Sequence, residues 1–236
     1  MPRDSSTTYE VYERLKADLM RARFVPGERI RISDICKRMG VSLGAVREAL
    51  SRLTSDGLVV LEPQKGFSVA RISEAELHDL STVRAEIEGQ CLRRAIATGD
   101  VRWEAQILAT FHEWQRAAES SRPDIDEIVR AHAAFHRALV AACDSQWLLR
   151  LREILFTQSE RYVRLSKPNS KRSGVKRDLV REHREIMDAC VKRNADLAVA
   201  LLNAHFGATE RSLVELKIVT PRQPAAATKR TSAQAS

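Results

Sequence analysis

The sequence predicts a mainly α-helical protein in two parts, an N-terminal winged helix-turn-helix and a C-terminal antiparallel six-helix bundle. Three observations carry this. Apolar residues recur at helical spacing from Tyr9 to Met20 and again in two short segments that end at Leu53. After Gly57 the period changes from helix to strand. From Ser73 onward the apolar pattern is helical again.

The elements follow in order. Residues 1–7 lack apolar periodicity, so the first helix is expected from Tyr9, with Tyr9, Tyr12, Leu15, Leu19 and Met20 on one face. Pro26-Gly27 is expected to stop it and turn the chain. A short helix over Ser33–Met39 follows, with Ser33 as N-cap and Gly40 at the C-terminal cap. Ser42 caps the next helix, which buries Val46, Ala49, Leu50 and Leu53 and closes at Asp56-Gly57. Leu58–Leu61 and Phe67–Ala70 are two β-prone runs joined by a turn over 62–66 that contains Pro63 and Gly66.

Ser73 and Glu76 form the S-x-x-E pattern of a capping box and place the domain boundary near residue 72. Helices are expected over 73–98, 101–120, 124–142, 146–166, 175–193 and 195–217, with breaks at Gly99-Asp100, Arg122-Pro123, Asp144, Lys167-Pro168-Asn169 and Asn194. Six helices joined by short connections make an antiparallel bundle. The expected division is therefore 8–72, 73–219 and a tail over 220–236, whose Ala, Ser, Thr, Pro and Lys content predicts disorder.

Charge and composition narrow the function. Lys and Arg total 39 against 31 Asp and Glu, and the excess is uneven. Residues 1–72 hold 13 basic and 9 acidic side chains, a balance suited to a polyanion such as DNA. No apolar run approaches the roughly 20 residues that span a bilayer, and the N-terminus lacks a signal-peptide core, so no membrane association and a cytoplasmic location are expected. The four cysteines are widely spaced, and Cys91, Cys143 and Cys190 lie among apolar residues as reduced core side chains.

Histidine placement in the C-terminal part points to a metal. His132 and His136 stand four residues apart, on the apolar face of their helix with Val129, Phe135 and Leu139. His183 shares a stripe with Leu179, Val180, Ile186 and Met187, and His205 one with Leu197, Leu201 and Leu202. Imidazoles aimed into an apolar interior need polar partners, and one shared ion would serve all four. A set of neutral imidazoles favours zinc or nickel. Four protein ligands would close a tetrahedral site, whereas higher coordination would leave room for an effector carboxylate or water. Arg84 lies on the stripe Leu77, Leu80, Arg84, Ile87, Cys91, so its guanidinium is expected inward, paired either with Glu88 or with an effector carboxylate. Arg161 and Tyr162 are further candidates for the same pocket.

The segments Pro26-Gly27-Glu28-Arg29-Ile30, Val41 to Leu50 with its V-R-E-A-L core, and Gly57-Leu58-Val59 resemble the GntR family of bacterial regulators over residues 8–71. The resemblance implies that the second helix of the turn enters the major groove of double-stranded operator DNA. Ser42 would then bond a phosphate, Arg47 the O6/N7 edge of a guanine, and Lys65 and Gly66 at the wing tip the minor groove or backbone. The chain departs from the family's usual S-R-T-P-V-R-E-A-L at Leu43, Gly44 and Ala45, so a base-reading arginine is missing at position 43.

Arg84-Ala85-Glu86-Ile87-Glu88, Phe135-His136, Glu182-His183 and Ala204-His205-Phe206 resemble the FCD effector domain of the FadR-type branch of that family. This implies a homodimer and a divalent metal held by three histidines and an acidic residue; here His132 stands where the family usually has Asp. Ser42 to Leu50 and Glu62 to Phe67 resemble the branch that controls carbon-starvation and glutarate catabolism. The expected function is thus a ligand-responsive repressor of a catabolic operon that senses a small carboxylate. An architectural DNA-binding protein with a purely structural metal site is the alternative. A metalloenzyme is disfavoured because neither H-E-x-x-H nor the E-x-x-H pair of di-iron bundles occurs.

Overall fold

A computed structural model describes residues 3–21, 23–71, 73–166 and 177–216. The expected tail from 220, the end of the second domain at 219, the break at Lys167-Pro168-Asn169, residues 175–176 and boundary residue 72 lie outside the described residues.

The N-terminal unit consists of α1 (Arg3–Met20), α2 (Ile32–Met39), α3 (Leu43–Ser55) and the hairpin β1 (Val59–Glu62) and β2 (Gly66–Val69). Its core joins Val11, Leu15 and Leu19 to Ile35, Val46, Leu50, Leu53, Leu58 and Phe67. Several expectations shift here. Helix α1 starts at Arg3, because polar residues extend a helix without leaving an apolar trace. Its buried face runs through Thr8, Val11, Leu15 and Leu19, while Tyr9 is exposed. It ends at Met20, six residues before Pro26, and Pro26-Gly27 instead forms a separate turn in which Glu28 N–H donates to the Val25 carbonyl.

Helix α2 begins at Ile32 with Arg31 as an N-cap that makes no side-chain hydrogen bond, and Ser33 Oγ lies beside Asp34 instead. Gly40 ends it in the left-handed conformation at φ 68°, where a side chain would be strained. Ser42 caps α3 as expected, accepting from Ala45 N–H at 3.3 Å. In the wing, Val59 pairs with Val69 and Glu62 with Gly66, so the turn is only Pro63-Gln64-Lys65. Arg29 adds a bridge to Ser68, and Ile30 N–H donates to the Phe67 carbonyl, so the segment after α1 lines the wing's edge.

The C-terminal unit is the expected bundle: α4 (Glu74–Thr98), α5 (Val101–Ala118), α6 (Ile125–Val140), α7 (Gln146–Ser166), α8 (Leu179–Val191) and α9 (Ala195–Glu215). Ser73, Asp100, Asp124, Asp178 and Asn194 cap α4, α5, α6, α8 and α9 with their side chains. One core binds Leu92, Ile107, Phe111, Phe135, Leu139, Ile186, Leu202 and Phe206, and Cys91, Cys143 and Cys190 are buried in it as free thiols. Trp103 Nε1 donates to the Ala138 carbonyl across α5 and α6 at 2.9 Å, which satisfies the indole inside that core.

Helix α7 joins the two units. Arg161, 5% exposed, donates to the Ala70 carbonyl at 2.8 Å and the Gly57 carbonyl at 3.4 Å. Gln158 donates to the carbonyl of Asp56, whose carboxylate accepts from the Tyr12 hydroxyl. On another side Asp126 of α6 pairs with Arg21, just after α1, at 3.1 Å and with Arg164 of α7 at 3.0 Å. No described helix is long and apolar enough to cross a membrane.

Replacing fully buried Leu92 by Ala should cost about 2–5 kcal/mol of unfolding free energy. It should appear as a lower urea midpoint at unchanged slope. Arg161→Ala removes both contacts to main-chain carbonyls and leaves the buried Ala70 carbonyl without this donor, so the N-terminal unit should lose about 1–3 kcal/mol of its protection. Native-state hydrogen exchange is the check, with faster exchange in α1 and α3 and none gained in α5.

Candidate metal centre, effector cavity and DNA-facing helix

Three helices bring the four histidines together. His132 and His136 come from one face of α6, His183 from α8 and His205 from α9, and a ligand nitrogen from each lies within 4.8 Å of the others. The Nε2 atoms of His132 and His183 are 2.9 Å apart, and each lies 3.2 Å from His136 Nε2. Nitrogens bound to one zinc at about 2.0–2.1 Å would be about 2.9 Å apart at right angles and about 3.3 Å apart in a tetrahedron. The observed separations lie within that span.

The outer nitrogens fix the tautomers. His183 Nδ1 lies 2.6 Å from the Leu179 carbonyl, which only accepts, so the proton sits on Nδ1 and the Nε2 lone pair faces the cluster. His205 Nδ1 lies 2.9 Å from Glu182 Oε2. Burial pushes the Glu182 carboxyl up, but hydrogen bonds from His205 and Arg177 prevail and hold it at about 2. Glu182 is therefore ionised, His205 carries its proton on Nδ1, and its Nε2 is left unprotonated. This is the outer support that metal-bound imidazoles require. Desolvation, with the neighbouring imidazoles second, drives His136 well below its ordinary value; burial does the same to His183 and lowers His205. His136 Nδ1 is buried without a hydrogen-bond partner, so packing against Phe156 and Phe206 orients that ring. Inward lone pairs on neutral rings repel one another unless a cation or shared protons lie between them. The donor set fits a divalent metal ion.

A cavity of about 500 Å³ opens beside the cluster. His132, His136 and His205 line it, together with Arg84, Arg177, Ser159, Thr209 and an apolar wall that includes Trp114, Ile128, Phe156, Val163 and Leu213. Arg84 points inward as its stripe predicts, and its partner is Glu88, with Nε to Oε1 at 2.6 Å. Its Nη1 also donates to Ser159 Oγ at 2.7 Å, and its guanidinium lies over the Phe206 ring at 4.0 Å. Buried Arg152 flanks the other oxygen of Glu88 at 3.5 Å.

Arg161 and Tyr162 do not line this cavity, contrary to expectation. Helix α7 turns Arg161 toward the N-terminal unit and packs Tyr162 among Leu77 and Leu213. The helical period explains this, since Phe156, Ser159, Glu160 and Val163 occupy the cavity face of α7. Sequence reasoning missed Arg177, Trp114 and the role of Glu182. Glu182 stands next to His183, but its partner His205 belongs to another helix, and no local pattern encodes that pairing.

In the N-terminal unit, α3 and its N-cap present exposed Ser42, Leu43, Gly44, Arg47 and Glu48 on the face away from the core. Lys65 is exposed at the wing tip and paired with Glu62 at 3.1 Å, and Gly66 holds a φ of 82° that favours glycine. Ser42, Arg47, Lys65 and Gly66 thus share the helix-turn-helix unit, far in sequence from the histidines.

Comparison with known proteins accounts for both ends. Residues 7–69 match the bacterial regulatory proteins of the gntR family, and residues 79–208 match the FCD domain. The chain is 34% identical over 199 residues to the uncharacterized HTH-type transcriptional regulator BphR of Paraburkholderia xenovorans, covering 83% of this chain and 80% of that protein. It is 41% identical over 158 residues to the HTH-type transcriptional repressor GlaR of Escherichia coli, covering 66% and 72%. Among solved structures, E. coli McbR/YncC shares the fold with a TM-score of 0.74 at 19% identity, covering 89% of this chain and 98% of that one. A regulator from Rhodococcus follows at 0.71 and 23%, with 89% and 98% covered. With both halves matched in order, the chain belongs to the GntR family of bacterial regulators, in its FadR-type branch with an FCD domain.

Proposed function

We propose that this chain is a ligand-responsive transcriptional repressor of a catabolic operon, which binds operator DNA through α3 and the wing and senses a small carboxylate in the cavity beside the four histidines. The observation that carries this reading is the continuity of α7. One helix supplies Phe156, Ser159 and Val163 to the cavity and Arg161 and Gln158 to the underside of the N-terminal unit. A ligand that shifts α7 would therefore bias where the DNA-reading helix stands, and DNA would bias ligand affinity in return.

His132, His136, His183 and His205 would hold the metal, zinc or nickel by the neutral-imidazole donor set, and it would supply a Lewis-acidic anchor for a carboxylate. No acidic side chain belongs to the donor set, so the ion's charge is left to be balanced by an anion. Arg84 adds positive potential at the cavity wall, and Ser159 and Thr209 add polar groups. On the DNA side, Arg47 would take a guanine edge, Ser42 a phosphate, and Lys65 and Gly66 the backbone or minor groove. Homodimer formation is supported by Trp147, Leu151 and Ile154, which form an exposed stripe along α7, with Trp147 71% exposed.

The pairing of Arg84 with Glu88 favours a second reading, an architectural DNA-binding protein with a structural metal. Thermal shift separates the two. A carboxylate at about 100-fold above its Kd should stabilise the sensor by about 2.7 kcal/mol, whereas no shift across a broad panel of carboxylates supports the architectural reading.

Two further outcomes are expected. His183→Ala should abolish stoichiometric metal in elemental analysis and lower the melting temperature while the helical circular dichroism persists; unchanged metal content would sink the site. Arg47→Ala should lose about 1–3 kcal/mol of operator affinity per guanine contact, measured by fluorescence anisotropy on fragments captured from genomic DNA. Retained sequence preference would refute its role.

A further inference from the structure

We propose that Leu43 reads a thymine methyl group in each operator half-site, beside the guanine taken by Arg47. The inference rests on α3 being the DNA-reading helix and goes beyond it by naming a base and the group that selects it.

Leu43 is the first residue of α3 and is 57% exposed. The residues that hold α3 in the core are Val46, Ala49, Leu50 and Leu53, and Leu43 is not among them. Single exposed leucines are ordinary on protein surfaces. This one occupies the turn of the helix that reaches base edges in a helix-turn-helix, directly after the N-cap Ser42. It also lies four residues before exposed Arg47, so the two side chains share a face.

Gly44 is the second observation. Its φ is not positive, and a Cβ there would meet only Ser42 Oγ, at 4.0 Å. The fold therefore has no need of glycine at a helical position that glycine weakens. What the missing side chain leaves is open space beside Leu43, through which a base pair or sugar can approach the backbone.

The chemistry selects the base. In the major groove only thymine presents a methyl group, while the other bases present donors and acceptors that a leucine leaves unpaired. Four residues of helix rise about 6 Å, less than two base-pair steps of about 3.4 Å, so the thymine should lie within two base pairs of the guanine.

The test is selection from a randomised duplex library by the full-length wild type, Leu43→Ala, Leu43→Arg and Arg47→Ala, followed by affinity measurement on the selected duplex with its thymine replaced by deoxyuridine. That replacement deletes only the methyl. For the wild type it should weaken binding about four-fold per half-site, the scale of one buried methyl. Leu43→Ala should lose the response to deoxyuridine, and Leu43→Arg should exchange thymine for guanine at that position. A wild-type motif without a fixed thymine within two base pairs of its guanine would overturn the inference while leaving the regulator intact. So would an equal deoxyuridine penalty in wild type and Leu43→Ala. If the wild type enriches no motif at all, and Arg47→Ala behaves identically, the DNA-reading assignment itself fails.

Discussion

Four imidazoles facing one another inside an apolar bundle are the constraint on which the C-terminal half is built. Their rings come from three helices, and a ligand nitrogen of each lies within 4.8 Å of the others. The surroundings serve that placement. The Leu179 carbonyl fixes the His183 tautomer, and the ionised Glu182 fixes that of His205. Trp114, Phe135, Phe156 and Phe206 pack against the rings and hold their orientations. Such a centre stabilises the helix packing only while something positive sits in it, so bundle stability and the contents of the site are linked.

The second organising feature is the division of labour around α7. Its successive faces meet α4 through the buried Arg84–Glu88–Arg152 arrangement, the cavity through Phe156 and Val163, and the DNA-binding unit through Gln158 and Arg161. Arg84 touches Ser159 on the same helix. A ligand that competes for Arg84 would therefore pull on α7 as well as on α4. The two units of the chain are joined by the contacts of α7 as well as by the short segment before Ser73.

Much of this was legible in the sequence, for identifiable reasons. The bundle helices announced themselves through long apolar periods, the capping box at Ser73 and the breaks at Gly99-Asp100 and Asn194. The histidines stood out because polar rings repeated on apolar stripes. Where the reading failed, the signal was short or non-local. The phase of α1 was ambiguous because Tyr9 and Thr8 suit neighbouring faces equally well, and Val11 settles the matter only once α3 is in place. The single bridge from Arg29 to Ser68 is too brief to leave a pattern. Arg161 looked like a pocket arginine because nothing local says which way a basic side chain on an amphipathic helix will turn. Its partners lie about a hundred residues away.

The joint made by Arg161 and Gln158 has one more property. Its acceptors are the carbonyls of Asp56, Gly57 and Ala70, which belong to the main chain. A joint that grips the backbone is largely indifferent to the side chains of the module it holds. The reading surface of α3 and the wing can then change residue by residue, and with it the DNA recognised, while the mechanical link to the sensor is inherited intact. Such an arrangement lets a regulator acquire new targets without rebuilding its response.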